Sequence, residues 1–160
     1  MFFLRFFLIL FSVVLSSSAW AEKSKNDAKE RYCLAQNIYF EARGEPESGQ
    51  FAVAAVTMNR VKSHKFPNTV CKVVWQRSQF SWTHDGKSDL PRDKRAWHRA
   101  KMIASMVYSR YFTILRKTKG AWDLTRGALH YYSPSMVNPI WAEKGTQSAV
   151  IGNHVFVAFN

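Results

Sequence analysis

Between Lys29 and Tyr111, outside a long loop over 76–90, apolar residues return at three- and four-residue intervals, and beyond Gly120 that rhythm stops. The first half of such a chain must be helical and the second must be something else. Leu34, Ile38 and Ala42 recur every four residues with Ala35 and Tyr39 beside them, and Gly44 and Pro46 end the run. Ser48 is placed to cap a second helix reaching about Lys62. Phe51, Ala54, Ala55, Met58 and Val61 trace one of its faces, and Val53 and Val56 widen it. Alanines at 52, 54 and 55 would let another helix approach closely. Thr69 can cap a short helix through Val74. Asp89, with Pro91 in the first turn, can cap a further helix carrying Trp97, Ala100, Ala104, Val107 and Tyr111. After Gly120, Gly127–Pro134 reads as a short strand and turn, Pro139–Ala142 follows, and the C-terminal runs fit a hairpin turning near Gly152-Asn153. Helices first and short strands last predict a mostly helical α+β domain with a small C-terminal hairpin or sheet.

The first residues bear on the compartment. Arg5, an apolar run from Phe6 to Leu15, and Ala19-Trp20-Ala21 form the pattern of a cleavable secretory signal over residues 1–21. The apolar run is about half the roughly 20 residues of a spanning helix. Export to the periplasm or the extracellular side is therefore expected, with no lasting membrane anchor. Residues 22–30 are polar and aperiodic and read as a flexible N-terminus. Residues 31–160 suit one domain with a real core, expected to be a monomer. The formal charge of +12 implies an anionic partner or surface. For an exported chain, acidic lipid or wall polymer fits that charge better than nucleic acid. Two cysteines, Cys33 and Cys71, point to a disulfide in an exported chain, the alternative being two buried thiols. Five scattered histidines show no metal-ligand spacing, so neither metal nor cofactor is expected.

Glu41 is the leading chemical candidate. It ends an apolar-periodic run among Ile38, Tyr39 and Phe40, where burial would disfavour its charge and raise its pKa. A glutamate so placed can donate a proton near neutral pH. Glu45, four residues on, would share a helix face with it, but Gly44 and Pro46 should end the helix between them. Glu45 then reads better as support for the turn than as a second acid. Asp85 and Asp89 lie on the long loop 76–90, where Phe80 and Trp82 sit among polar residues. Those two aromatics, with His130, Tyr131 and Trp141, are candidates to line a substrate-binding groove. The alternative reading of Phe80 and Trp82 is that they plug the core. Tyr131 is the leading polar partner for substrate or for Glu41. No Ser-His-Asp or Cys-His arrangement is indicated, which removes the essential groups of a peptidase or amidase.

The stretch Leu34–Glu45 resembles the opening motif of the spore-cortex-lytic (SleB/CwlJ-type) cell-wall hydrolases. The resemblance continues through Gly49-Gln50, Val53–Val56, Asn59-Arg60-Val61, Phe66–Cys71, Gln79–Trp82, Ala128–Tyr131 and Ile151–Phe156. It implies a lysozyme-like fold related to lytic transglycosylases, with peptidoglycan glycan strands as substrate. It also maps the family's catalytic acid onto Glu41. With one supported acid, the resemblance favours a transglycosylase that forms a 1,6-anhydro product. The alternatives are a hydrolytic muramidase, which needs a second carboxylate about 5–9.5 Å from the first, and a basic module that binds the wall without cutting it.

Overall fold

A computed structural model describes residues 2–118 and 122–159, with side chains from residue 20 onward except 112 and 115. Among the described residues four α-helices come first: α1 (Phe2–Ala42), α2 (Glu47–Lys62), α3 (Val70–Val74) and α4 (Lys94–Lys117). Three strands follow: β1 (His130–Tyr132), β2 (Thr146–Ile151) and β3 (His154–Ala158). Short 3₁₀ turns occupy Ser81–His84 and Ile140–Lys144. The expected signal segment lies almost wholly outside the residues whose side chains are described. Among the described residues no helix is long and apolar enough to cross a membrane.

The helical core forms where the sequence rhythm places it. Leu34, Ala35 and Ile38 of α1, Ala54, Ala55 and Met58 of α2, and Ala100, Ile103, Ala104, Val107 and Tyr111 of α4 share one cluster. Helix α2 is buried without interruption from Ala52 to Arg60, which makes it the central element. Its alanines allow α1 and α4 to close on it. The cysteines form a disulfide, Cys33–Cys71, that ties α1 to α3.

Three local expectations are corrected. Residues 22–30 are helical rather than flexible, because α1 docks through them. Asp27 accepts from the Tyr108 hydroxyl at 3.0 Å. Glu30, only 7% exposed, accepts from the amides of Val70 and Cys71 at 2.6 and 3.3 Å. Its carboxylate thus satisfies donors that the start of α3 would otherwise leave bare. Helix α2 begins at Glu47 with Pro46 at the N-cap position, so Ser48 lies inside the helix. The cap of α4 is Asp93, which accepts from the amides of Arg95 and Ala96, and not Asp89. The buried Tyr39 hydroxyl accepts from the amides of Arg92 and Asp93, and this holds the chain extended until Lys94.

The strands form one antiparallel sheet in the order β1-β3-β2, with Tyr131 opposite Phe156 and Ile151 opposite His154. The hairpin turns at Gly152-Asn153, where Gly152 has φ +59°. Positive φ at the first of two turn residues suits glycine and the twist of a tight hairpin. Pro139–Ala142 belongs to the second 3₁₀ turn and its approach, not to a strand. Phe156 and Ala128 pack on Ala52 and Val56, so the sheet rests on α2 through a small second core.

Candidate active site

Helix α2 sets the position of β1 through two polar residues on its inner face. The side-chain amide of Asn59 donates to Asp123 at 2.9 Å and to the carbonyl of Ala128 at 3.1 Å, and its carbonyl accepts from the Tyr111 hydroxyl at 2.6 Å. Asp123 in turn accepts from the amides of Thr125 and Gly127. Arg60 donates from Nε to the carbonyl of Leu129 at 2.7 Å. Its guanidinium lies over the rings of Phe66 and Phe80, at 5.1 and 5.3 Å from their centroids. These bonds fasten the chain as it enters β1, so the next residues emerge at a fixed place.

Tyr131 emerges facing the end of α1, and its hydroxyl donates to Glu41 Oε2 at 2.9 Å. Glu41 lines a cleft of about 710 Å³ between the last turn of α1, the 78–84 segment and the sheet. Burial raises its pKa, while the Tyr131 hydrogen bond and the positive charge of Arg60 pull it down without cancelling the rise. Tyr131 has its own pKa pushed well up, chiefly by burial and then by the Glu41 charge, so it stays a neutral donor. The pair is a carboxyl poised to hold a proton beside a phenol that steadies the carboxylate once the proton has left. Arg60, 4% exposed, is charged and close enough to favour that ionised state.

The two sides of the cleft differ in character. Ser78, Gln79, Ser81 and His84 form a polar strip, and Met136, Val137, Pro139 and Trp141 form an apolar one. Trp141 is supported by the rings of His130, Tyr132 and Phe159. Phe80 lines the floor. Among the described residues, Glu41 is the only carboxylate in the lining.

The other sequence candidates fall elsewhere. Trp82 is buried at 8% exposure and stacks on Phe40 with centroids 4.6 Å apart, which makes it core beneath the site instead of a groove aromatic. His130 sits behind Trp141, between Phe66 and Phe159, and does not line the cleft. Burial, then the charges of Arg60 and Lys65, push its pKa down to about 4, so it is neutral near pH 7. Asp85 and Asp89 line a separate hollow of about 370 Å³ with Tyr39 and Arg43. Glu45 leaves the helix, which ends at Ala42, and its two oxygens accept from the backbone and side-chain nitrogens of Asn153. Among the described residues no group of three or more His, Cys, Asp or Glu side chains could hold a metal ion.

Arg60 and His154 were not singled out from sequence for the site. A usable signal existed for Arg60: Asn59-Arg60 falls on a helix whose neighbours are apolar on all sides, and a buried charge there requires a partner. His154 lines the cleft and meets the Tyr131 ring edge-on at 5.1 Å. Burial lowers its pKa, opposed by the Glu45 charge.

The profile of the family described as cell wall hydrolase matches residues 44–157, a span that opens just beyond Glu41. The spore cortex-lytic enzyme of Bacillus cereus is 35% identical over 133 residues, which cover 83% of this chain and 44% of that protein. The Bacillus subtilis spore cortex-lytic enzyme is 34% identical over 133 residues, covering 83% of this chain and 38% of that one. The chain therefore spans less than half the length of these relatives. The crystal structure of the Bacillus cereus SleB catalytic domain superposes with a TM-score of 0.61 at 33% identity, covering 81% of this chain and 91% of that one. The catalytic domain of the germination-specific lytic transglycosylase SleB from Bacillus anthracis gives the same score and identity, with 93% of that chain covered. The mostly helical, lysozyme-like α+β architecture expected from the sequence is the one found.

Proposed function

The chain belongs to the cell wall hydrolase family, and from that membership we propose that it is an enzyme that cuts the glycan strands of peptidoglycan, with Glu41 as its acid. The observation that carries this reading is a lone carboxyl, its pKa raised by burial, opening onto a 710 Å³ cleft with Tyr131 hydrogen-bonded to it. A sugar chain laid in the cleft meets Trp141 and its apolar neighbours with its ring faces, and the Ser78–His84 strip with its hydroxyls. Glu41 gives its proton to the glycosidic oxygen between N-acetylmuramic acid and N-acetylglucosamine. The anion left behind is stabilised by the Tyr131 hydroxyl and the Arg60 charge.

The same carboxylate then removes the proton from the C6 hydroxyl of the muramic sugar, whose oxygen closes on C1 to give the 1,6-anhydro end. Proton and electrons balance without a second acidic group. Hydrolysis would need one. Glu45 is occupied by Asn153, and Asp85 and Asp89 open onto a different hollow. This supports the transglycosylase over the muramidase.

Residues 1–21 act in this reading as a cleaved export signal, leaving a chain that begins near Glu22 with the docked part of α1 intact. The partner is then the peptidoglycan of the periplasm or the cell exterior. Cleavage removes Arg5 from the formal +12, and the remaining +11 assists encounter with that anionic polymer.

The test is Glu41→Gln, which keeps shape and removes the acid. Cleavage of purified peptidoglycan should fall by about 10²–10⁴-fold, the usual share of a general acid, with sedimentation onto intact walls retained. Mass spectrometry of the wild-type digest should find anhydro-muramic ends. Reducing muramic ends would replace the transglycosylase by a muramidase. Uncut glycan with retained binding would leave only a wall-binding module.

A further inference from the structure

We propose that Glu45 is a positioning residue that latches the β2–β3 turn onto the end of α1 and thereby sets Tyr131 against Glu41. This rests on the reading of Glu41 as the acid, and goes beyond it by assigning work to a residue outside the cleft.

The latch is a built arrangement. Glu45 Oε2 accepts from the Asn153 amide at 2.8 Å, and Oε1 accepts from Asn153 Nδ2 at 3.0 Å. Both ends of the carboxylate are therefore used by one residue at the hairpin tip. The Glu45 backbone is held as well: its N–H donates to Ala42 O at 2.9 Å, and its carbonyl accepts from Gln50 Nε2 at 3.0 Å. Two glycines leave the room it occupies. A Cβ at Gly152 would collide with Glu45 Oε2, and one at Gly49 would lie 3.0 Å from the Glu45 Cβ. A larger residue at 152 would displace the carboxylate from this position, and one at 49 would press on the Glu45 Cβ.

From the tip the constraint runs a short way to the acid. Asn153 is followed by His154, whose ring lies edge-on to Tyr131 at 5.1 Å and whose Nδ1 is 3.9 Å from Glu45 Oε2. Strand β3 pairs with β1, with Phe156 opposite Tyr131. Tyr131 then donates to Glu41, on the last turn of the helix from which Glu45 departs. Among the described residues, the hydrogen bonds from the end of α1 to the sheet are those of Glu41 and Glu45. The apolar seat of the sheet lies elsewhere, on α2. Without the Glu45 latch the sheet keeps its seat and the Asn59 and Arg60 bonds at the start of β1. Its hairpin end, however, gains freedom to rock about them, and a hydrogen bond at 2.9 Å is sensitive to such movement.

The experiment measures cleavage rates against wall concentration for the full chain carrying Glu45→Gln, Tyr131→Phe, both, or Glu41→Gln. Glutamine at 45 turns a donor toward one of the two Asn153 donors, so the latch loses a charge-assisted bond. Glu45→Gln should lower the maximal rate about tenfold, with the half-saturating wall concentration changed by less than about twofold, since the residue touches no sugar. In the Tyr131→Phe background the same change should cost under about twofold, because the group it positions has already been removed. Losses that multiply in the double variant, or a full maximal rate in Glu45→Gln, would overturn the proposal.

A loss in Glu45→Gln as deep as in Glu41→Gln would also overturn it, by making Glu45 a second reacting carboxylate. Should Glu45→Gln not fold, Asn153→Ala removes only the Nδ2 bond and must show the same dependence on Tyr131. An active Glu41→Gln variant defeats the proposed function itself. An inactive Glu41→Gln with independent Glu45 and Tyr131 effects defeats only the latch.

Discussion

The helical half brings Glu41 to the cleft from a packed floor, whereas the sheet half brings Tyr131 and Trp141 from a lightly seated wall. Leu34, Ile38 and Ala54 around the acid's helix are fully buried, and Trp82 stacks beneath its neighbour Phe40. On the sheet side, β1 is half-buried along its length, and the seat on α2 is made by Ala128 and Phe156 with Ala52 and Val56. Trp141 remains 36% exposed. An acid needs a fixed, dry surrounding to keep its proton, and a wall for a long polymer needs reachable aromatic faces. Under the proposed function the two halves meet these needs separately, joined at the site by the bonds of Glu41 and Glu45.

The two tryptophans give the sharpest test of that division. Trp82→Ala opens a cavity in the helical half and should destabilise by about 3–5 kcal/mol in urea or thermal unfolding. Trp141→Ala should leave the unfolding midpoint nearly unchanged and raise the half-saturating wall concentration several-fold. Equal stability losses for the two would erase the distinction between floor and wall.

Next in size is the disulfide, which lies wholly in the helical half. Cys33 and Cys71 are separated by 38 residues, and the chain-entropy relation gives about 3–4 kcal/mol for such a loop. Replacing both by alanine should lower stability by that amount while the remaining folded protein cuts glycan at an unchanged rate. A pH profile altered by the replacement would show that the bridge reaches the acid.

The same division explains what could be read from the sequence. The faces of α1, α2 and α4 follow from a three-to-four residue spacing, because helix periodicity is local. Gly152-Asn153 marked its hairpin for the same reason. Trp82 was ambiguous because its neighbours in sequence are polar, and Phe40, which covers it, lies far away along the chain. The cap of α4 moved from Asp89 to Asp93 through the hydroxyl of Tyr39, again a distant partner. The apolar setting of Glu41 was legible, and burial there raises its pKa. Arg60 needed the fold, since its value depends on Phe66, Phe80 and Leu129 meeting around it. Glu45 could be read as leaving the helix, but its partner at 153 could not.

The smallest expected effect bears on the seam between the halves. Tyr131→Phe removes one hydrogen bond and should slow cleavage about tenfold, equivalent to about 1.4 kcal/mol of barrier. Its more specific sign is in the pH profile. The Tyr131 hydrogen bond pulls the Glu41 pKa down, against the larger upward push of burial. Without the phenol that pull is lost, and the carboxyl holds its proton to higher pH. In the proposed mechanism Glu41 works first as an acid, so the alkaline limb of the profile falls as pH rises through its pKa. That limb should therefore shift to higher pH in Tyr131→Phe. The same raised pKa bears on folding. A carboxyl that binds its proton more tightly when folded loses stability for the protein as pH climbs from the unfolded value, near 4.5, through the folded one. Glu41→Gln should then unfold at a higher temperature than the wild type at pH 7, and the gain should vanish below pH 4.5. A limb that moves to lower pH in Tyr131→Phe would mean that the phenol favours the protonated acid, and the sheet's part in the chemistry would have to be reassigned.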